Sequence, residues 1–196
     1  MSTPFSSTPA EILLVQLAQK LRENGYHFIT STPLTHARVN ARKENAWAKN
    51  LRDVFGWSRP FQREVLPDEI WNLMNAAQIV EAHENGFRST LRLSSLGENL
   101  FWHSAFPTSQ SDAVFFGPDT YRFASAIESW IGGSRRTPRR AVDLCSGSGV
   151  GAILMAARLK NAKCFRLIST TPRCDWRASI PRSPERPMCA RNTAIY

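Results

Sequence analysis

Asp143 stands four positions before Gly147, and Gly149 and Gly151 follow at alternate positions. The stretch around them, Arg140-Ala-Val-Asp-Leu-Cys-Ser-Gly-Ser-Gly-Val-Gly-Ala-Ile-Leu154, reads as an apolar strand, a glycine-rich turn and the start of a helix. That order suits a nucleotide-like cofactor. Glycines let the main chain approach a ligand closely. The first turn of a helix offers N–H groups that have no partner within the helix. A carboxylate at the strand end can orient a polar or cationic group of the ligand. Cys145 lies inside the turn, and its side chain reads as a small packing residue rather than a nucleophile.

The same glycines admit a rival. Read as G-x-G-x-x-G/A with Ala152 in the last place, the turn fits an NAD(P)-binding fold. In that fingerprint the useful acid lies roughly 20 residues further on, whereas here an acid precedes the glycines. A second turn lies upstream. Gly117-Pro-Asp-Thr120 opens a helix, with Asp119 or Thr120 as its cap and Phe123, Ala124, Ile127, Trp130 and Ile131 as its apolar face. Gly132-Gly133 ends that helix, and the basic loop Ser134 to Arg140 leads into the strand of the glycine motif.

The elements that must position these residues divide the chain. In residues 1–107, Thr8-Pro9-Ala10-Glu11 has capping-box spacing, and Ile12, Leu13, Leu17 and Leu21 recur at helical intervals. Gly25 is the expected stop. Two further helices are expected, roughly over Ala41 to Val54 and Pro67 to Val80. A β-hairpin should follow, with Phe87 to Ser94 alternating, a turn at Leu96-Gly97-Glu98-Asn99, and a return over Leu100 to Phe106. This unit could be winged-helix-like, and the alternative to an enzyme is a module whose helices and hairpin bind nucleic acid or a protein. Its Arg88 and Arg92 would either face nucleic acid or lie on the solvated side of a half-buried hairpin. Polar residues 107–112 mark a boundary, and Ala113 to Phe116 is a short strand or extended segment. The expected class is α/β: a helical and hairpin domain (1–107), then the first part of a Rossmann-like sheet (113–165), then an anomalous tail (166–196).

Composition bounds the rest. The chain has 196 residues, is 42% hydrophobic and carries a formal net charge of +9. These values fit a globular protein of one ordinary domain plus a small one. The charge would suit a polyanionic partner, yet the tail holds six arginines and two acids and so supplies +4 of it. No run is apolar enough for a bilayer, so no membrane partner is expected. The four cysteines show no C-x-x-C pair, which argues against zinc or a disulfide framework. A cytoplasmic location with reduced thiols is the expectation.

Residues 113–165 resemble the start of a class I S-adenosylmethionine-dependent methyltransferase domain. The likeness is greatest to the small-domain group that includes release-factor glutamine methyltransferases. Val142-Asp-Leu-Cys-Ser-Gly-Ser-Gly149 resembles that family's first cofactor motif, and Phe116-Gly-Pro-Asp-Thr-Tyr121 resembles the turn that precedes it. The resemblance implies that Asp143, Gly147 and Gly149 contact the methionine portion of S-adenosylmethionine. Cys145 stands where many relatives carry the first glycine, Gly151 completes the turn, and Pro118, Asp119 and Thr120 lie nearby. It also implies a methyl acceptor that is a nitrogen of a protein or nucleic acid.

After Phe165 the likeness stops. The family's second acidic strand and its N/D-P-P-Y motif have no counterpart, and no Pro-Pro pair occurs in the chain. Shifting the codon frame across Leu167 to Arg177 permits the family-like run S-D-I-N-x-A-A-L-R-L-A, with leucine forced at Asp175-Trp176. The expectation is therefore a frameshifted, truncated and inactive product. Its tail would be loosely packed, and Ala152, Ile153 and Ala156 would be left under-buried.

Overall fold

The structure, a computed structural model, describes residues 8–108, 113–134, 138–166 and 179–180. Helix α1 (Pro9–Glu23) begins where the capping box places it. The Glu11 amide donates to Thr8 Oγ1 at 3.2 Å, and the Thr8 amide donates to the Glu11 carboxylate at 2.8 Å. Leu14, Leu17, Ala18 and Leu21 form its buried face. The single helix expected over 41–54 is replaced by α2 (Pro33–Asn40), a 3-10 turn at Lys43–Asn45 and the short α3 (Leu51–Phe55). Two caps dictate this. Thr32 precedes Pro33 and accepts from the Thr35 amide, while Asn50 accepts from the Asp53 amide. Helix α4 (Asp68–Ala76) ends before the expected Val80, because Gln78 turns left-handed and Val80 opens a strand.

The expected hairpin is two hairpins. Strands β1 (Val80–His83) and β2 (Gly86–Ser89) pair antiparallel, as do β3 (Leu91–Leu96) and β4 (Asn99–Ser104). The alternating run 87–94 therefore changes partners at Thr90, whose amide donates to the Ile79 carbonyl at 2.9 Å. Leu91, Leu93, Leu100 and Trp102 point into the main core, with α1, Phe55, Ile70 and Met74. The indole N–H of Trp102 donates to the Leu14 carbonyl.

The opposite face of this pair is covered too, which corrects both readings of Arg92. Its side chain is buried at 4% exposure, neither solvated nor free for nucleic acid. Arg88 is half-buried and donates to the Ser58 carbonyl. The cover is a second cluster of Phe101, Phe116, Ala124, Val150 and Leu154. Residues 113–116 run extended beside β4, with the Ser104 amide donating to the Val114 carbonyl at 3.0 Å. Helix α5 (Pro118–Gly133) follows. Its Tyr121 hydroxyl donates to the Ser95 carbonyl and accepts from the Thr30 amide, each at 3.1 Å.

Strand β5 (Arg140–Asp143), helix α6 (Val150–Arg158) and strand β6 (Lys163–Arg166) complete a βαβ unit with parallel strands, Asp143 opposite Arg166. Ala152 is buried and Ile153 partly so, because α6 packs on α5. The expected under-burial falls instead on β5 and the turn after it, where Val142 is 49% and Leu144 66% exposed. Strand β7 (Ser179–Ile180) pairs antiparallel with β4, Ile180 opposite Leu100. The remainder of the expected anomalous tail lies outside the described residues. The chain is thus mixed α/β, with six α-helices among the described residues. Among those residues no helix is long and apolar enough to cross a membrane.

Candidate functional site

Asp143 ends β5 and is buried at 4% exposure. Its Oδ2 accepts from the Ala152 amide in the first turn of α6 at 2.9 Å, so the carboxylate spans the whole glycine turn. Burial raises its pKa above the ordinary carboxylate value. The Ala152 amide, the Arg166 charge and the Gly151 amide pull in the opposite direction. The carboxylate thereby occupies one of the N–H groups that α6 would otherwise present to a ligand.

The turn between them is built from left-handed residues. Cys145 has φ +53°, Gly147 +49° and Gly149 +83°. Gly149 caps α6 and donates to the Ser146 carbonyl at 2.6 Å. Left-handed backbone disfavours residues with a Cβ, so Cys145 occupies a position suited to glycine. Its side chain is exposed, which corrects the expectation of a packing residue: the left-handed turn carries it outward. Gly151 serves packing. A Cβ there would lie 2.8 Å from Asp143 Cγ and 2.9 Å from Phe123 Cε1. The missing methyl is what lets strand end, helix and α5 close on one another.

The upstream turn is adjacent through its flanks. A Cβ on Gly147 would lie 3.9 Å from the Phe115 carbonyl oxygen. Gly117, not Asp119 or Thr120, caps α5, with Pro118 in the first helical position. Asp119 and Thr120 fall inside the first turn. Thr120 Oγ1 accepts from the Gly117 amide at 3.3 Å, the half of a capping box that a glycine cap permits.

Ser146 is a residue that sequence reasoning missed. It is buried, and its Oγ has no hydrogen-bond partner among the described residues. A buried hydroxyl without a partner among the described residues leaves a hydrogen bond to be made by water or a ligand. The only signal in the sequence was a serine between Cys145 and Gly147. Among the described residues no group of three or more His, Cys, Asp or Glu could hold a metal ion. No protein-family model matches the chain, and no curated protein matches it.

Proposed function

We propose that the turn from Asp143 to Gly151 is the cofactor site of an S-adenosylmethionine-dependent methyltransferase domain of Rossmann-like architecture. The observation that carries this reading is a strand-end carboxylate buried behind two left-handed glycines at the start of a helix. The orphaned Ser146 hydroxyl fits the reading, since it leaves a polar position at the turn for a ligand. When bound, the cofactor supplies an electrophilic methyl group on a sulfonium. Asp143 provides the negative charge that complements a cationic ligand; burial opposes that charge and Arg166 favours it. Gly147 lets the main chain approach the ligand closely and Gly149 turns it into α6, with Cys145 in the same loop. Pro118, Asp119 and Thr120 start the helix whose Phe123 braces Gly151. Catalysis would rest on positioning the reactants for in-line transfer to a nitrogen of a protein or nucleic acid.

Isothermal titration of the chain with S-adenosylmethionine tests this. Saturable heat that disappears in Asp143→Ala supports it. Heat with NAD or NADP but none with S-adenosylmethionine would assign the turn to a dinucleotide.

A further inference from the structure

The charges of the helical and hairpin unit are sorted by position. Between residues 38 and 52 stand five cations, Arg38, Arg42, Lys43, Lys49 and Arg52, and one acid, Glu44. Elsewhere in residues 8–108 there are six cations and nine acids. All five cations of the first group are exposed. Among the described residues none of them forms an ion pair. Mixing the two signs would keep a surface near neutral, whereas sorting them leaves a positive potential over one sector.

The sector is a pinned frame. Arg38 lies in the last turn of α2, and Arg42 follows just past its end. The Asn45 side chain donates to the Val39 carbonyl at 2.8 Å and folds the 3-10 turn back on the helix. The Asn40 side chain donates to the Trp57 carbonyl at 2.8 Å and accepts from Arg59 Nε at 2.9 Å. Arg59 in turn donates to Asp53 at 2.6 Å, and the other Asp53 oxygen accepts from the Lys49 amide at 2.9 Å. These bonds close residues 39–45 on residues 49–59. They also engage the acid nearest the cations. Asp53 is buried and its charge is matched by Arg59, so Lys49 and Arg52 keep theirs.

The surface between the cations says what they suit. Its other exposed residues are Ala41, Glu44, Ala46 and Asn50, and no large apolar side chain is exposed there. A protein interface has an apolar centre, and a helix lying on a membrane buries apolar side chains in it. A nucleic-acid backbone needs neither, because cations and polar groups hold it. A duplex carries its phosphates at fixed spacings, which suits cations rooted in a fixed frame. We infer that the sector from Arg38 to Arg52 binds the phosphate backbone of a nucleic-acid duplex. The surface does not depend on the cofactor assignment of the glycine turn. Arg92, buried on β3, takes no part in it.

The test is fluorescence anisotropy of a short labelled DNA duplex of mixed sequence, titrated with the full chain over a range of salt concentrations. Saturable binding that weakens steeply with salt is expected. The variant combining Arg38→Gln, Arg42→Gln and Lys49→Gln should bind at least about tenfold more weakly, with the slope of log affinity against log salt smaller by about three. These side chains are exposed, so the substitutions leave the core intact. The tail arginines supply the control, since they attract any polyanion. Arg173→Gln, Arg177→Gln and Arg182→Gln together remove the same charge and should leave most of the affinity. Vesicles containing phosphatidylserine and polyglutamate should compete poorly for the labelled complex. No binding at low salt, an equal loss in both triple variants, or tighter binding to the vesicles or to polyglutamate would overturn the assignment.

Discussion

Asp143 has two tasks that substitution can separate. It accepts from the Ala152 amide, and it carries charge beside the glycine turn. Asp143→Asn keeps an acceptor and removes a charge that burial already disfavours, so stability should change by less than about 1 kcal/mol. Asp143→Ala leaves the Ala152 amide orphaned and should cost about 1–3 kcal/mol. On the proposed cofactor reading both should weaken S-adenosylmethionine binding tenfold or more; urea unfolding together with calorimetry checks the pair. His36 offers a second test at this scale. Burial, reinforced by the charges of Arg92 and Arg59, lowers its pKa to about 4, against the Gly56 carbonyl. An unfolded histidine titrates near 6.5. As pH falls from about 6.5 to 4 the unfolded chain takes a proton that the folded chain refuses. Stability should therefore drop across that window, by up to about 3 kcal/mol. His36→Gln should reduce the drop without abolishing it, since burial lowers His103 as well, as read from urea midpoints at pH 7 and 4.5.

At the scale of elements, the α5–β5–α6 junction depends on a missing methyl. In Gly151→Ala the new Cβ would press on Asp143, which is pinned by its bond to Ala152, and on Phe123. A loss of about 1–3 kcal/mol is expected, seen as a lower denaturation midpoint with an unchanged slope. This scale also shows what was legible in the sequence. The start of α1 was written in Thr8, Pro9 and Glu11, and the strand, turn and helix around Asp143 were written in local spacing. The helices near 33–40 and 51–55 had caps in plain view at Thr32 and Asn50, which the single helix expected over 41–54 ignored. The break at Thr90 was not legible, because two consecutive strands share one alternating pattern and only their partners differ. The burial of Arg92 could not be read at all: the Gly56 carbonyl that takes its Nε and the Phe28 ring beside its guanidinium reach it only through the fold.

For the whole molecule, the telling feature is β5. Parallel strands are ordinarily covered on both faces. Here α6 packs on β5 and β6, and Val142 and Leu144 remain exposed, as do Phe123 and Trp130 on α5. Exposed apolar groups of this size favour association. Light scattering of the chain should show a mass that rises with concentration, and Val142→Lys should reduce the rise without lowering the melting temperature by more than a few degrees.

Strand β4 has a consequence for how the molecule comes apart. Leu100 and Trp102 belong to one core, while Phe101, between them, belongs to the other, and His103 stacks on Phe116 at 5.2 Å. One strand is thus a party wall between two rooms, and neither room can lose it alone. Calorimetry should record a single heat-absorption peak whose calorimetric and van't Hoff enthalpies agree. Amide protons of α1 and α6 should then exchange with solvent at the same limiting free energy, so that the two halves melt as one.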